Sequence, residues 1–123
     1  MPKKNPLNLN PLQLKTLTLM QALAKIEGHG RPSDTPGHVI VTGFPGRHGD
    51  HFHVGEAVVA ASDATGLHNE AAWIALQRKG LLNSMFPMAA VLTPEGVAYN
   101  TGMADTLLHR HGGRTRPVVR LGR

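Results

Sequence analysis

Apolar positions are densest near the start of the chain. Leu9, Leu12, Leu14, Leu17, Leu19, Met20, Leu23, Ala24 and Ile26 recur at helical spacing, yet they cover more than one stripe of the cylinder. The boundaries are marked too. Asn10 suits the N-cap, Pro11 the first helical position, and Gln13 stands three residues after the cap, as in a capping box. Leu9 and Leu14 occupy the two positions of a hydrophobic staple. The pattern predicts a helix from Pro11 to about Glu27, stopped at Gly28. A helix that is apolar most of the way round is covered on several sides. In so short a chain a second copy is expected to supply one of them, giving a homodimer through residues 10–27.

From 28 to 53 the character changes, with glycines at 28, 30, 37, 43, 46 and 49 and prolines at 32, 36 and 45. Residues 38–42 (HVIVT) and 51–54 (HFHV) read as strands, joined as a hairpin through residues 45–49. Residues 56–63 (EAVVAASD) fit either a short helix or a strand, because Val58 and Val59 favour strand and the alanines favour helix. Residues 64–67 form a turn. Asn69 caps a helix over 70–79, which Gly80 ends. Ala89–Leu92 and Val97–Tyr99 read as two strands around a turn at Thr93-Pro94-Glu95-Gly96.

Taken with its helical option, the stretch from 56 to 100 has a distinctive order: short helix, glycine-containing turn, second helix, two-stranded ribbon. DATGLHNEAAWIAL (63–76), ALQRKGLL (75–82) and VLTPEGVAY (91–99) resemble the turn, recognition helix and wing of winged helix-turn-helix transcription regulators. The resemblance implies an α+β fold, with the leucine-rich first helix in front and a Gly/His-rich β-hairpin insertion at about 28–53. The domain would span 10–108, after an extended lead-in (1–9) and before a basic C-terminal tail (109–123). The alternative is another α+β domain in which 54–61 is a strand and only the 69–79 helix survives. The resemblance further implies that the second helix enters the major groove of duplex DNA, presenting His68, Asn69, Glu70, Ile74, Gln77 and Arg78. Glu70 carries the wrong charge for a phosphate; Arg78 and Lys79 come late in the helix.

Charge strengthens the nucleic-acid reading. The formal net charge is +5, and no acid follows Asp105. Beyond it Arg110, Arg114, Arg116, Arg120 and Arg123 form a tail attracted to polyanions. The nucleic-acid-binding set is therefore Asn69, Gln77, Arg78, Lys79, Arg110, Arg114 and Arg116. Winged helices also dock on proteins, so a non-enzymatic assembly subunit is the alternative to a regulator. An apolar surface joining Ile74 and Met85 would favour that alternative.

One stretch holds metal-type chemistry: Arg47-His48-Gly49-Asp50-His51-Phe52-His53. On a strand His51 and His53 share a face, and His48 or Asp50 from the turn would complete a set for zinc or iron. The order HxDHxH departs from the HxHxDH run of metallo-hydrolases, and exposed hairpin histidines are the simpler reading. No cysteine is present, which excludes disulfides and thiol chemistry. GxSxG, P-loop and dinucleotide-binding patterns are absent, so a non-enzyme with no required cofactor is expected. Neither a secretory signal nor a membrane-length apolar run is present, and a cytoplasmic location is expected.

Overall fold

In the computed structural model, which describes residues 5–44, 51–55 and 57–110, helix α1 spans Pro11–Ala24. Its cap forms as the sequence expects. The Asn10 side chain accepts from the Gln13 N–H (2.8 Å), and the Gln13 side chain accepts from the Asn10 N–H (3.0 Å). The helix ends before Glu27, because the chain turns back at once. Gly28 takes the left-handed conformation (φ 94°), and Gly30 lies so near the Ala24 carbonyl that a Cβ there would overlap it.

The fold is mixed α+β. Strands β1 (Gly30–Pro32), β2 (Val39–Thr42), β5 (Leu82–Met85) and β6 (Ala89–Leu92) form an antiparallel sheet in the order β1-β2-β6-β5. Strands β3 (His51–Val54), β4 (Ala57–Ala60) and β7 (His109–Arg110) form a smaller one, β3-β4-β7. The expected hairpin between 38–42 and 51–54 is not formed. Both edges of β2 are occupied by β1 and β6, and β3 pairs with β4 instead. The turn proposed at 45–49 lies outside the described residues. The ambiguous segment at 56–63 resolves as strand β4, where Val59 is fully buried opposite Phe52. The end of that segment, Ala61–Asp63, is a 3-10 turn, and a second one, Thr65–His68, stands where the turn at 64–67 was expected.

Helix α2 (Glu70–Arg78) follows its Asn69 cap. It closes as a Schellman motif: the Leu81 N–H reaches the Leu76 carbonyl (3.1 Å) and the Gly80 N–H reaches that of Gln77 (2.9 Å). Gly80 holds the required positive φ of 79°. The strand expected at Val97–Tyr99 is instead the end of a short helix, α3 (Pro94–Ala98). Thr93 caps it by accepting from the Gly96 N–H at 3.1 Å, and Pro94 takes the first turn, so the TPEG signal starts a helix rather than turning a hairpin. A further short helix, α4, spans Ala104–Leu107.

Helix α1 is the centre of the core. Leu17, Leu19, Met20 and Leu23 are fully buried, and α1 packs on α2, the Thr65–His68 turn, β1, β2, β3, α3 and α4. The buried leucines of α1 are thus covered by elements of the same chain. Trp73 of α2 is also fully buried. Its indole N–H donates to the Gly66 carbonyl (3.0 Å), and its ring packs on Phe44 and, edge to face, on Phe86, with centroids 5.0 and 4.9 Å away. Strand alternation turns Val41, Leu82, Ala90 and Leu92 towards the helices, all at most 1% exposed, and leaves Ile40, Asn83, Met85 and Val91 on the other face.

Two glycines separate backbone conformation from close packing. A Cβ on Gly96 would overlap the Leu81 carbonyl oxygen, which cannot swing aside. Gly96→Ala is expected to lower stability by about 3 kcal/mol, the upper end of overpacking losses. Gly80→Ala meets nothing within 4 Å but must hold the left-handed φ, for a loss of about 1 kcal/mol. Urea unfolding midpoints check both.

Candidate nucleic-acid interface

Helix α2 buries Ala72, Trp73 and Leu76 and exposes Glu70, Ala71, Gln77 and Arg78, with Ile74 half-buried between them. That division follows from the sequence, since 70, 74, 77 and 78 share one helical face. The exposed side chains differ in how far they are committed to the fold. The Asn69 side chain accepts from the Ala71 N–H (3.0 Å), and Gln77 Oε1 accepts from the Ser84 N–H of β5 (2.8 Å). Lys79 Nζ donates to the Leu7 carbonyl (2.9 Å). Asn69 and Gln77 keep their amide donors, and Lys79 keeps two N–H groups. Arg78 is exposed and has no hydrogen bond or ion pair among the described residues.

The β5–β6 hairpin beside α2 is uncharged: no ionisable residue falls between Leu82 and Leu92. Met85 is 58% exposed and Met88 75%. Met85 lies on the sheet face opposite Leu82 and Ser84, and so away from α2. The apolar surface that would join Ile74 to Met85 therefore does not form across one face. Arg110 pairs through its backbone with Ala57, at the edge of the smaller sheet. Arg114 and Arg116 lie outside the described residues.

Of the expected metal set, His48 and Asp50 are likewise outside. His51 and His53 lie on β3, where alternation places them opposite Ala60 and Val58 and away from the buried Val54. Their Nε2 atoms are 3.2 Å apart. His109 pairs with Val58 across β4, which sets it two strands from His53. No group of three or more ionisable metal donors occurs among the described residues.

Two features carried no signal in the sequence. A cleft of about 490 Å³ opens between the end of α1 (Ala22, Lys25, Ile26), the β3–β4 turn (Val54, Gly55) and α4 (Asp105). Its residues come from separate segments with no shared period. Tyr99 fastens the lead-in: its hydroxyl donates to Asn5 Oδ1 (2.6 Å) and accepts from the Leu7 N–H (3.0 Å). No helix among the described residues is long and apolar enough to cross a membrane.

Comparison of the chain with protein-family models, curated proteins and solved structures returns no match.

Asn69→Ala is expected to lower stability by about 1 kcal/mol through loss of the cap, while Asn69→Asp keeps the acceptor and retains most of it. Chemical denaturation measures the difference.

Proposed function

We propose that the chain is a winged-helix module that binds duplex DNA as a small regulator, with α2 as the element that meets the double helix. The observation that supports it best is the order of the larger sheet. Strand β2, which follows α1, pairs with β6, and β6 with β5, which follows α2. That arrangement parallels the helix, strand, helix and two-stranded ribbon of a winged-helix plan, with β1 added beyond β2, β3 and β4 inserted before α2, and 3-10 segments where the plan has a further helix. Packing leaves the α2 face of Glu70, Ile74, Gln77 and Arg78 open. Arg78 brings a fork-shaped donor suited to guanine or phosphate, and the Gln77 amide still has hydrogens to give. The uncharged hairpin supplies no cationic phosphate contact. Electrostatic attraction therefore rests on Arg78, Lys79 and the basic C-terminal segment, in keeping with the net charge of +5.

The exposed Met85 and Met88 favour a second reading, an assembly subunit that docks on protein through the outer sheet face, where Ile40 and Val91 flank the same strands.

Titration of duplex DNA across a salt series separates the two. Under the regulator reading, log affinity falls linearly with log salt, with a slope of about −0.9 per phosphate neutralised. Arg78→Ala then weakens binding by about 1–3 kcal/mol if it reads a base, or reduces the slope by about one if it meets a phosphate. Absence of binding at low salt sinks the DNA reading and leaves the docking subunit. Binding lost only when residues 111–123 are removed, and indifferent to Arg78, assigns the affinity to a polyanion tether instead.

A further inference from the structure

Independently of the DNA reading, we propose that His51 and His53 form a two-point chelate for a divalent transition-metal ion of the zinc type, held on the outer face of β3.

The case starts from periodicity. Residues two apart on a strand project to one face, and here the opposite set is fixed by the core: Val54 is 4% exposed and pairs with Ala57, while Phe52 pairs with the fully buried Val59. His51 and His53 are therefore held on the outward side by the same register that buries their neighbours. A one-residue slip would bury both imidazoles, so the pairing that stabilises the sheet also fixes the pair. Beside them on the same face, across the β3–β4 pair, lie Ala60 and Val58.

Geometry then narrows the chemistry. The rings stand edge to face, with centroids 4.9 Å apart at 79°, and bring their Nε2 atoms to 3.2 Å. Two imidazole nitrogens bound to one tetrahedral zinc at about 2.0–2.1 Å each are separated by roughly 3.3 Å, the edge of that tetrahedron. The observed separation is that edge with little rearrangement. Without an ion the same distance suits one ring donating an N–H to the other, so only one Nε2 carries a proton in the neutral pair. Binding a cation displaces that proton and moves it to Nδ1 or to solvent. Two protein donors leave the remaining positions to water or another ligand. Imidazole nitrogen selects zinc, copper, nickel or iron over calcium or magnesium, which take oxygen.

The test uses the full-length protein, stripped with a chelator and titrated with zinc chloride by calorimetry, with cobalt(II) substituted to read nitrogen ligation in its visible spectrum. Saturable zinc binding is expected at pH 7.5. It should be lost in both His51→Ala and His53→Ala. Both side chains are half-exposed on the outer face, and circular dichroism confirms that each variant folds. Bound zinc should also raise the thermal midpoint of the wild type and of neither variant. Absence of saturable binding by the wild type overturns the proposal and leaves a plain histidine–histidine hydrogen bond. Wild-type affinity retained by either variant also overturns it, and assigns the ion to other histidines of the chain.

Discussion

The hydrogen bond from the Trp73 indole to the Gly66 carbonyl holds together parts of the chain that have little else in common. Trp73 is the largest side chain in the core and is fully buried, so its N–H needs a partner inside the protein. The partner it finds is a backbone carbonyl in the 3-10 turn just before α2. That bond fixes the angle at which α2 leaves the turn. Ring contacts with Phe44 and Phe86 extend the same constraint to the chain just after β2 and to the loop between β5 and β6. Truncating such a residue typically costs about 3–5 kcal/mol, against a total stability of order 5–15 kcal/mol. The placement of α2 against the sheet is therefore one cooperative unit centred on an aromatic ring.

The character of the exposed surface follows from that placement. With Trp73, Leu76 and Ala72 turned inward, the outward face of α2 is determined, and its ends are fastened by polar side chains: Asn69 at the start, Gln77 to β5, Lys79 to the lead-in. Groups with two or three donors can hold the fold and still meet a ligand, whereas Arg78 is committed to neither. Charge and apolar exposure are segregated. The cation stands at the end of α2, and the exposed methionines belong to the hairpin, Met85 on the face turned away from α2. These are two surfaces, and a ligand for one need not touch the other.

Local signals in the sequence are reliable here where a single hydrogen bond decides them. The Asn10-Pro11-Gln13 cap, the Asn69 cap and the Gly80 stop are legible because each is satisfied by bonds between residues close in sequence. Thr93-Pro94-Glu95-Gly96 is the instructive failure. The same letters suit a hairpin turn or a helix start, and what anchors the helix start comes from afar: the Leu81 carbonyl accepts the Thr93 N–H and packs against Gly96. Strand pairing was illegible for a related reason. Residues 38–42 and 51–54 are recognisable as strands, but which edges they meet depends on β6, tens of residues away, and on β4, which begins at Ala57. Of the candidate sites, the His51–His53 face and the exposed α2 face follow from periodicity alone; the cleft and the Tyr99 clasp join distant segments and follow from none.

The odd texture of α1, apolar nearly all round yet interrupted by threonine, has a packing explanation. Thr16 and Thr18 are buried at 1% and 2% exposure, and each hydroxyl bonds back to the carbonyl four residues earlier, at 2.7 Å. A buried hydroxyl without such a bond would lower stability by a few kcal/mol, so the back-bond is what permits threonine there at all. Leucine would be more hydrophobic but longer. At position 16 the neighbour is Gly66, so close that even a Cβ on it would overlap the threonine Oγ1. At position 18 the hydroxyl bonds Thr101, 2.6 Å away, in the segment after α3. Small residues thus sit where other backbone comes nearest, and leucines where it stands off. The turn that accepts the Trp73 bond can lie against α1 because residue 16 is short, residue 66 has no side chain, and the one polar atom between them already has its partner.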